Sequence, residues 1–576
     1  MAFFALPDAA RAAAHGLAYA YPHIAVQDDP LYLRSLERHP GRRVGLVSGG
    51  GSGHEPLHVG LLGRGGLDAV APGAISASPH ARQITAASMA AAVDDEVLHI
   101  VKNYTGDRVN FGLAAEQLRE AGIAVKTVIV DDDLASAGSG AGRRGTGATL
   151  IVEKLLGAAA DQGAELDELA ELGARIVARS RSLAVTARAH TSHTTRKPAF
   201  SLGRDYDFGA GIHGERAPHR VSALRPTSYI VRKMLAELLD PGSDTVLPDP
   251  REGVILLVNG LGGTPELELR GISALAVEIL AEQGVTVSAI PTGNYVTAQD
   301  TAGISLTLTA LEPGWLDLWS APSQTPLRLP GTAGPYTPPS AEASARSSAT
   351  PVQAGRRTVL ERLARLTKAI HPDLTRLDQA VGDGDFGDNW ASGVHGALAR
   401  ARRDDTAGMA ALAEEFRDNV GGTSGPLLGL VFSHLTRALG NEDKADVAAL
   451  ATASTEALAA ISRIGGAHVG DCTFLDALGP AADALTTAAA DQHPAALTTA
   501  ARAAVTGAGA TSEMRSRKGR SSYVGDDHAL GVPDPGAIAI AALYTTIAEV
   551  FEPQHARHVP SLDTIMSGQQ RVREDT

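Results

Sequence analysis

The feature that most constrains the fold is a change in hydrophobic periodicity along the 576-residue chain. Residues 321–355 are dense in Pro, Ser, Ala, Gly and Thr and lack apolar periodicity, which is typical of a linker. Before it, apolar runs such as RVGLVSGG and GVILLVNGLGG alternate with helical stretches, whereas after it helical periodicity dominates. The sequence therefore predicts a multidomain chain with an α/β domain at 1–325, a linker at 326–355 and an all-α domain at 356–570.

Charge and cysteine content exclude several classes of partner. Lys and Arg total 51 against 65 for Asp and Glu, a net charge of −14, and no basic block stands out, so we expect no nucleic-acid partner. The single cysteine, Cys472, cannot form an internal disulfide, and the N-terminus lacks secretory-signal features. No apolar run approaches the roughly 20 residues of a membrane helix. These features predict a cytoplasmic protein without a membrane segment.

An acidic turn in the helical domain, VGDGDFGDNW, predicts a metal site. Carboxylates this close repel one another unless a cation lies among them, and Asp378 precedes the pair Asp383 and Asp385 at the end of an amphipathic helix. An EF-hand loop is rejected, because Val394 stands where that loop needs Glu. A solvated helix N-terminus rich in acids remains the simpler alternative. Hard oxygen ligands favour Mg²⁺, which takes further ligands from phosphates.

The usual phosphate-binding motifs are absent from the sequence. There is no P-loop, and the two DFG triplets, at 207–209 and 385–387, lack the catalytic loop of a protein kinase. Gly-rich turns at 420–429 and 465–480 could supply backbone N–H groups to phosphate, although each could equally be a helix cap.

Three Gly-framed loops of the α/β domain carry polar side chains. SGGGSGHEP follows a predicted strand and presents His54, IVKNYTGD presents Lys102 and Asp107, and GAGIHGE presents His213. A lone histidine is more often a structural hydrogen-bonding residue than a catalyst. Three such loops in one domain favour a site for a small, polar, carbonyl-bearing ligand.

Together these motifs resemble the successive signatures of the dihydroxyacetone kinase family. They are GGGSGHEP, VKNYTGDRVNFGLAAE, GIHGE, LDQAVGDGDFGDN, GGTSGPLLG, GDCTFLDALGP and KGRSSYVGDDHALGVPDPGA. The resemblance covers nearly the whole chain. It implies a two-part α/β ketose-binding module, a barrel of about eight helices that binds nucleotide, ATP as the phosphate donor, and a homodimer that brings the two sites together.

The resemblance also implies roles for individual residues of the first module. His213 adds to the substrate carbonyl as a hemiaminal, which selects ketones and aldehydes over polyols such as glycerol. His54 and Asp107 are the acid/base residues that take the proton from the attacking hydroxyl. The implied substrate contacts are Gly51, Ser52, Gly53, His54, Lys102 and Asp107.

In the second module the resemblance makes Asp378, Asp383 and Asp385 the ligands of Mg²⁺ and implies a pair of ions. Cations of this kind neutralise charge during phosphoryl transfer. The implied nucleotide contacts are Phe386, Gly387, Asp388, Asn389, Thr423, Ser424, Gly470, Arg520, Asp534, Pro535 and Gly536.

The sequence leaves the substrate open. After His213 the chain runs GERA where the family usually has GEPG, so Arg216 and Ala217 put the ketose in doubt. Dihydroxyacetone is the expected substrate, and erythrulose or glyceraldehyde is the alternative. Two weaker alternatives are a lyase that forms cyclic FMN from FAD and a non-catalytic ketose sensor, a class that tends to lose residues present here.

Overall fold

The computed structural model divides the chain into two compact units, Met1–Pro338 (the N-terminal unit) and Pro339–Thr576 (the helical unit). The residues described are 6, 8–137, 142–192, 197–203, 205–212, 219–240, 247, 250, 253–334, 357–381, 384–439, 445–517 and 530–567.

The first sheet of the N-terminal unit has the strand order β1-β2-β4-β3-β5-β6. Strands β4, β3, β5 and β6 are parallel, while β1 and β2 add an antiparallel edge. Helix α1 precedes β1, α2 connects β4 to β5, α3 connects β5 to β6, and α4 and α5 follow the last strand. The bounds are β1 Ile24–Asp28, β2 Leu31–Ser35, β3 Gly45–Ser52, β4 Ala69–Ile75, β5 Glu96–Lys102, β6 Ala124–Val130, α1 Ala9–Ala20, α2 Ala81–Ala91, α3 Thr105–Glu120, α4 Ala148–Asp161 and α5 Leu166–Ala178.

The second sheet has the order β11-β10-β13-β7-β8-β9, with the short β12 beside β10. Its central strand β13 is antiparallel to both of its neighbours, β10 and β7. The bounds are β7 Ser180–Arg188, β8 Asp205–Phe208, β9 His219–Ser222, β10 Val254–Gly260, β11 Val287–Ala289, β12 Thr292–Gly293, β13 Ala302–Ala310, α6 Thr227–Leu238, α7 Glu266–Glu282 and α8 Trp315–Ser320.

Burial on both faces explains why the sequences of the central strands are continuous apolar runs. Every residue of β10 is buried, as expected for a strand covered on both faces. Helix α4 is buried from Ala148 to Ala160, and its apolar residues share one core cluster with residues of both sheets. A helix that is apolar on all sides belongs in the interior. The two-sheet N-terminal unit agrees with the predicted two-part α/β module.

In the helical unit, helices follow one another around a closed ring. Each of α9 to α16 packs against the next, and α16 packs back against α9. The bounds, within the described part of this unit, are α9 Thr358–Val381, α10 Phe386–Arg403, α11 Gly408–Asp418, α12 Ser424–Leu439, α13 Val447–Gly465, α14 Leu475–Ala490, α15 Ala496–Ala510, α16 Pro535–Phe551, α17 Pro553–Ala556 and α18 Asp563–Met566. This ring confirms the predicted helical barrel.

Small side chains allow the barrel helices to approach closely. Helix α16 is Ala-rich and is buried from Pro535 to Tyr544. The rings of Trp390, Phe416 and Phe432 pack together in the same core, with the centroids of Phe416 and Phe432 5.0 Å apart in an edge-to-face arrangement.

Helix α13 is, among the described helices, the one long and apolar enough to cross a membrane by length and composition. Its residues Leu450, Ala457 and Ile461 are buried in the barrel core, and it packs against α12 and α14. Its hydropathy is therefore that of a core helix.

Candidate functional site

The Gly-rich end of β3 leaves room for a buried lysine from the neighbouring parallel strand. Strand β3 pairs with β5, and Lys102 is the last residue of β5. A Cβ atom on Gly50 would lie 2.3 Å from Lys102 Nζ, so no larger residue fits at position 50 while the lysine keeps this position. Both strands end at the same edge of the sheet, where open α/β sheets bind ligands.

His54 is fixed in the turn that follows β3. Its side chain is 1% exposed, and Nδ1 lies 2.7 Å from the backbone oxygen of Thr297. A carbonyl oxygen can only accept, so Nδ1 carries the hydrogen and Nε2 holds the lone pair. The amide of Gly53 donates to Glu55 Oε2 at 2.8 Å and tightens the same turn. The geometry therefore fixes the orientation of the His54 imidazole ring.

Asp107 lies in the first turn of α3, immediately after β5. It is buried, and its Oδ1 atom has no hydrogen-bond partner among the described residues. The helix N-terminus stabilises a carboxylate at this position. Its charge also acts on Lys102, because Asp107 raises the pKa of that ammonium against the lowering caused by burial. An unpartnered buried carboxylate oxygen is costly in a fold unless a ligand satisfies it.

The other predicted substrate contacts of this unit lie along the same segment. Gly51 and Ser52 are buried on β3, and the Ser52 hydroxyl donates to the backbone oxygen of Gly73 at 2.7 Å. Gly53 follows them in the turn. The structure thus brings together the loops that carry His54, Lys102 and Asp107, whereas His213, Arg216 and Ala217 lie outside the described residues.

Sequence reasoning missed several residues that support this edge. His58 contacts Lys102, and Glu153 and Ser48 contact His58. Gln299 donates from its amide to Gly53 O at 2.8 Å and from its side chain to Ser76 Oγ at 3.1 Å. His58 could have been suspected, since it follows His54 by four residues in HEPLH. Glu153 is the one acidic residue in the apolar run TLIVEKLLG, a pattern that indicates a buried carboxylate.

A cleft of about 240 Å³ in the helical unit is formed where four helices begin. Residues at the starts of α10, α12, α14 and α16 line it: Asp385, Phe386, Thr423, Ser424, Phe474, Leu475, Asp534, Pro535 and Gly536. Helix N-termini present unpaired N–H groups and a partial positive charge. Four of them around one cleft form a site for an anion with several phosphate groups.

Carboxylates lie in the same cleft. Asp378 Oδ2 accepts from the amide of Phe386 at 3.0 Å, and Asp534 caps α16 by accepting from the amide of Ala537 at 2.7 Å. Burial, with a further contribution from the charges of Asp476 and Asp378, raises the pKa of Asp534 to about 7. This like-charge crowding is what a bound cation relieves.

These donors fit Mg²⁺. Asp378 and Asp385 both line the cleft and offer hard carboxylate oxygens on the side of α10. Asp383 lies outside the described residues, which break at 382–383. Within the described residues no group of three His, Cys, Asp or Glu side chains is assembled for metal binding.

Close packing of α9 on α10 sets the position of the acidic turn. A Cβ on Gly387 would lie 2.1 Å from Thr375 Oγ1, so glycine permits this approach. Asp388 is directed to α9, where its Oδ1 lies 2.7 Å from His371 Nε2, and it is largely exposed. Asn389 lines the cleft.

The remaining predicted nucleotide contacts fall in two groups. Thr423, Ser424, Pro535 and Gly536 line the cleft. The amide of Gly470 instead donates to Asp476 Oδ1 in the turn before α14. Arg520 lies outside the described residues.

Sequence reasoning missed the apolar wall of the cleft, formed by Leu427, Ile461, Ala467, Phe474 and Leu475. Such a wall suits a nucleotide base, and no local motif marks it, because its residues come from three separate helices and the turns before them. Cys472 also lines the cleft. Burial raises the pKa of its thiol to about 12, so it is a neutral group and not a nucleophile.

Family models match both units. The Dak1 domain model matches residues 15–327, and the DAK2 domain model matches residues 380–549. Dihydroxyacetone kinase 2 of Saccharomyces cerevisiae is 36% identical over 92% of this chain and 95% of its own. Triokinase/FMN cyclase of Rattus norvegicus is 35% identical over 89% and 92%. L-erythrulose 1-kinase of Mycolicibacterium smegmatis is 34% identical over 94% and 98%.

A solved structure is similar over most of the chain. The crystal structure of the dihydroxyacetone kinase from C. freundii in complex with AMP-PNP and Mg²⁺ matches with a TM-score of 0.57 and 29% identity. The match covers 95% of this chain and 100% of that one.

Proposed function

The chain belongs to the dihydroxyacetone kinase family, and from this premise we propose that it phosphorylates dihydroxyacetone at a terminal hydroxyl, with ATP as the donor. As a member it is an ATP-dependent ketose kinase. The observation that carries the proposal is the buried edge of β3 and β5, where the unpartnered Oδ1 of Asp107 lies in the same site as the Lys102 ammonium and the buried His54.

The chemistry at this edge follows from the two kinds of group there. Asp107, or His54 through its Nε2 lone pair, takes the proton as the substrate hydroxyl oxygen attacks the terminal phosphorus. The new P–O bond forms as the bond from that phosphorus to the bridging oxygen breaks, and ADP leaves. The positive charge of Lys102 favours the alkoxide character that develops on the attacking oxygen.

His213 is proposed as the residue that holds the ketose. A bond from an imidazole nitrogen to the carbonyl carbon converts the C=O group to a hydroxyl, and the nitrogen's proton passes to that oxygen. The substrate is then tethered, and glycerol, which has no carbonyl, is excluded. Support for this role comes from the motif GIHGE on which the resemblance rests.

In the helical unit, ATP would bind with its base against the apolar wall and its phosphates toward the four helix N-termini. Asp378, Asp383 and Asp385 would hold Mg²⁺, and we propose two ions. Bound Mg²⁺ supplies charge neutralisation for the phosphates. Asp534 and Asn389 add polar contacts at the cleft.

A second substrate is favoured by one specific observation. A relative named L-erythrulose 1-kinase is as similar to this chain as the relatives named dihydroxyacetone kinase or triokinase are. The family pattern also changes at Arg216 and Ala217, beside His213. We therefore keep L-erythrulose and glyceraldehyde as the alternative acceptors. Formation of cyclic FMN, an activity in the name of the rat relative, is the weaker alternative.

The test is ADP release from the purified full chain with ATP, Mg²⁺ and one acceptor at a time. The acceptors are dihydroxyacetone, D-erythrulose, L-erythrulose, D-glyceraldehyde and glycerol. The proposal expects the highest kcat/KM with dihydroxyacetone and none with glycerol. A higher kcat/KM with L-erythrulose would make L-erythrulose the assigned substrate. Turnover of glycerol would contradict covalent capture of the substrate by His213. Manganese-dependent conversion of FAD without a ketose would support the lyase. Sedimentation of the same sample tests the expected homodimer.

A further inference from the structure

Behind Lys102, three buried side chains form a continuous hydrogen-bonded row. Lys102 Nζ lies 2.6 Å from His58 Nε2, and His58 Nδ1 lies 2.5 Å from Glu153 Oε1. The row runs from the end of β5, through the loop after β3, into the interior of α4. Each of the three residues is buried.

The directions of the hydrogen bonds follow from the ionised carboxylate of Glu153, which can only accept, so His58 Nδ1 donates to Glu153 Oε1. Ser48 Oγ lies 2.9 Å from the same nitrogen and 2.8 Å from the backbone oxygen of Ile100. Nδ1 therefore carries the imidazole hydrogen and shares it between Ser48 and Glu153. Nε2 is left with its lone pair, and Lys102 must be the donor.

A carboxylate at position 153 lowers the stability of the fold. It lies in the fully buried helix α4 with 0% exposure, and its Oε2 atom has no hydrogen-bond partner among the described residues. A buried carboxylate without full compensation costs folding free energy, and a neutral side chain of the same size would remove that cost. Packing alone does not account for a carboxylate here.

We propose that His58 and Glu153 are positioning residues of the ketose site, a buried relay that holds Lys102 as an ammonium ion beside Gly50, near the end of β3. The inference rests on the proposed function, because Lys102 is a substrate contact there. The described partners use one of the three N–H groups of Lys102, and the others remain for a ketose hydroxyl.

Charges from three elements act on Lys102. Burial lowers the pKa of its ammonium, whereas Asp107 from α3, Glu153 from α4 and Glu55 from the turn after β3 raise it. His58, on the same loop as Glu55, is held neutral, since burial and the charge of Lys102 lower its pKa well below the usual value. Burial raises the pKa of the Glu153 carboxyl to about 8, while the hydrogen bond with Ser48 and the charge of Lys102 lower it, so its negative charge is fully present in the alkaline range. Without the charge of Glu153, the ammonium becomes easier to deprotonate.

The diagnostic variant is Glu153→Gln, which keeps the volume and the acceptor for His58 Nδ1–H but removes the charge. In the wild type, kcat/KM for the ketose falls at alkaline pH as Lys102 loses its proton. In the variant this alkaline limb moves to lower pH by about one unit or more, because an opposite charge has been removed. On this alkaline limb kcat/KM for the ketose falls by about tenfold or more, while KM for ATP is unchanged.

Lys154→Met is the matched control. Lys154 is the next residue of α4, is also buried, and donates to the backbone oxygen of Ala321 at 2.7 Å. Its loss disturbs the same helix without touching the relay, so Tm changes and the pH profile does not. An alkaline limb that moves equally in both variants, or in neither, overturns the proposal. Glu153→Asp, which restores the charge, should recover part of the shift.

Two further measurements test the relay. The first distinguishes it from general destabilisation by the substitutions, and the second does not depend on the proposed function. The double variant of Glu153→Gln with His58→Gln should be no worse than the worse single variant, because both break one row; additive losses contradict a relay. ¹⁵N NMR of histidine-labelled full chain should show His58 neutral with the hydrogen on Nδ1. That spectrum needs no substrate. If no ketose is turned over, the proposed function fails, and a hydrogen found on Nε2 overturns the relay independently.

Discussion

In the N-terminal unit the candidate residues are buried side chains at the ends of two parallel strands, whereas in the helical unit the cleft is made largely from the starts of four helices. His54, Lys102 and Asp107 are each at most 1% exposed. Asp385 and Thr423, at the second site, are exposed. A small neutral sugar offers few groups for recognition, so enclosure and side-chain chemistry must select it. A polyphosphate carries its own charge, which helix N-termini and a cation can hold.

This contrast predicts that damage at one site leaves ligand binding at the other intact. The largest effect is expected for Asp107→Asn. The amide keeps the shape of the side chain but cannot take the proton, so kcat should fall by about 10² to 10⁴-fold. Calorimetric affinity for an ATP analogue with Mg²⁺ should be unchanged. Loss of nucleotide affinity in this variant would show that the two sites are not separable.

The converse variant is Asp378→Asn. Loss of a carboxylate in the cleft should lower kcat/KM for ATP by about 10² to 10³-fold, while the ketose still binds the N-terminal unit. Asp373→Asn is the control on the same helix, because Asp373 pairs with Arg376 at the surface. Equal losses in the two variants would remove Asp378 from the metal site.

The variant Gly50→Ala tests whether the position of Lys102 in the N-terminal unit matters for ketose binding. Its Cβ would lie 2.3 Å from Lys102 Nζ, so the lysine must move. We expect KM for the ketose to rise about tenfold or more, and the free energy of unfolding to fall by about 1–3 kcal/mol.

Gly112→Ala is its control, in the exposed part of α3, where a Cβ meets no atom within 4 Å. Alanine there should stabilise the helix by about 0.5–1 kcal/mol without a change in kinetics. Chemical denaturation with steady-state kinetics measures both variants. An unchanged KM in Gly50→Ala would mean that the position of Lys102 does not matter to ketose binding.

The smallest effect concerns Cys472, the single cysteine of the chain. Burial in the cleft of the helical unit raises the pKa of its thiol to about 12, so alkylation by iodoacetamide near pH 8 should be slow. ATP with Mg²⁺ should slow it further, and dihydroxyacetone should not. Mass spectrometry of the intact chain follows the reaction. Protection by the ketose alone would contradict the assignment of the cleft to the nucleotide.

The fold was predictable where one periodicity dominates. The runs RVGLVSGG and GVILLVNGLGG form β3 and β10, and the change to helical periodicity after the linker gives the barrel. Strand order was not predictable from the residues, because β4 lies between β2 and β3 through pairings that no local pattern records. The buried helix α4 was also missed, because its burial depends on packing against residues of both sheets, which no local pattern records.

The residues of the candidate sites also fall into a group that the sequence indicates and a group that it does not. Residues in Gly-framed loops, such as His54, Lys102 and Asp385, are visible because glycines mark turns near ligands. Glu153 and Leu427 sit inside helices, and their places in the two sites depend on tertiary packing. The roles of His213, Asp383 and Arg520 remain predictions from the family resemblance.

The most direct test is ¹³C NMR of dihydroxyacetone labelled at its carbonyl carbon, bound to the full chain without ATP or Mg²⁺. The account predicts that this carbon changes from a carbonyl resonance to that of a tetrahedral carbon in the wild type and in Asp378→Asn, and that His213→Ala abolishes the change. A ketose that keeps its carbonyl resonance in the wild type, or that changes only when Mg²⁺ and ATP are added, would contradict capture by the N-terminal unit on its own.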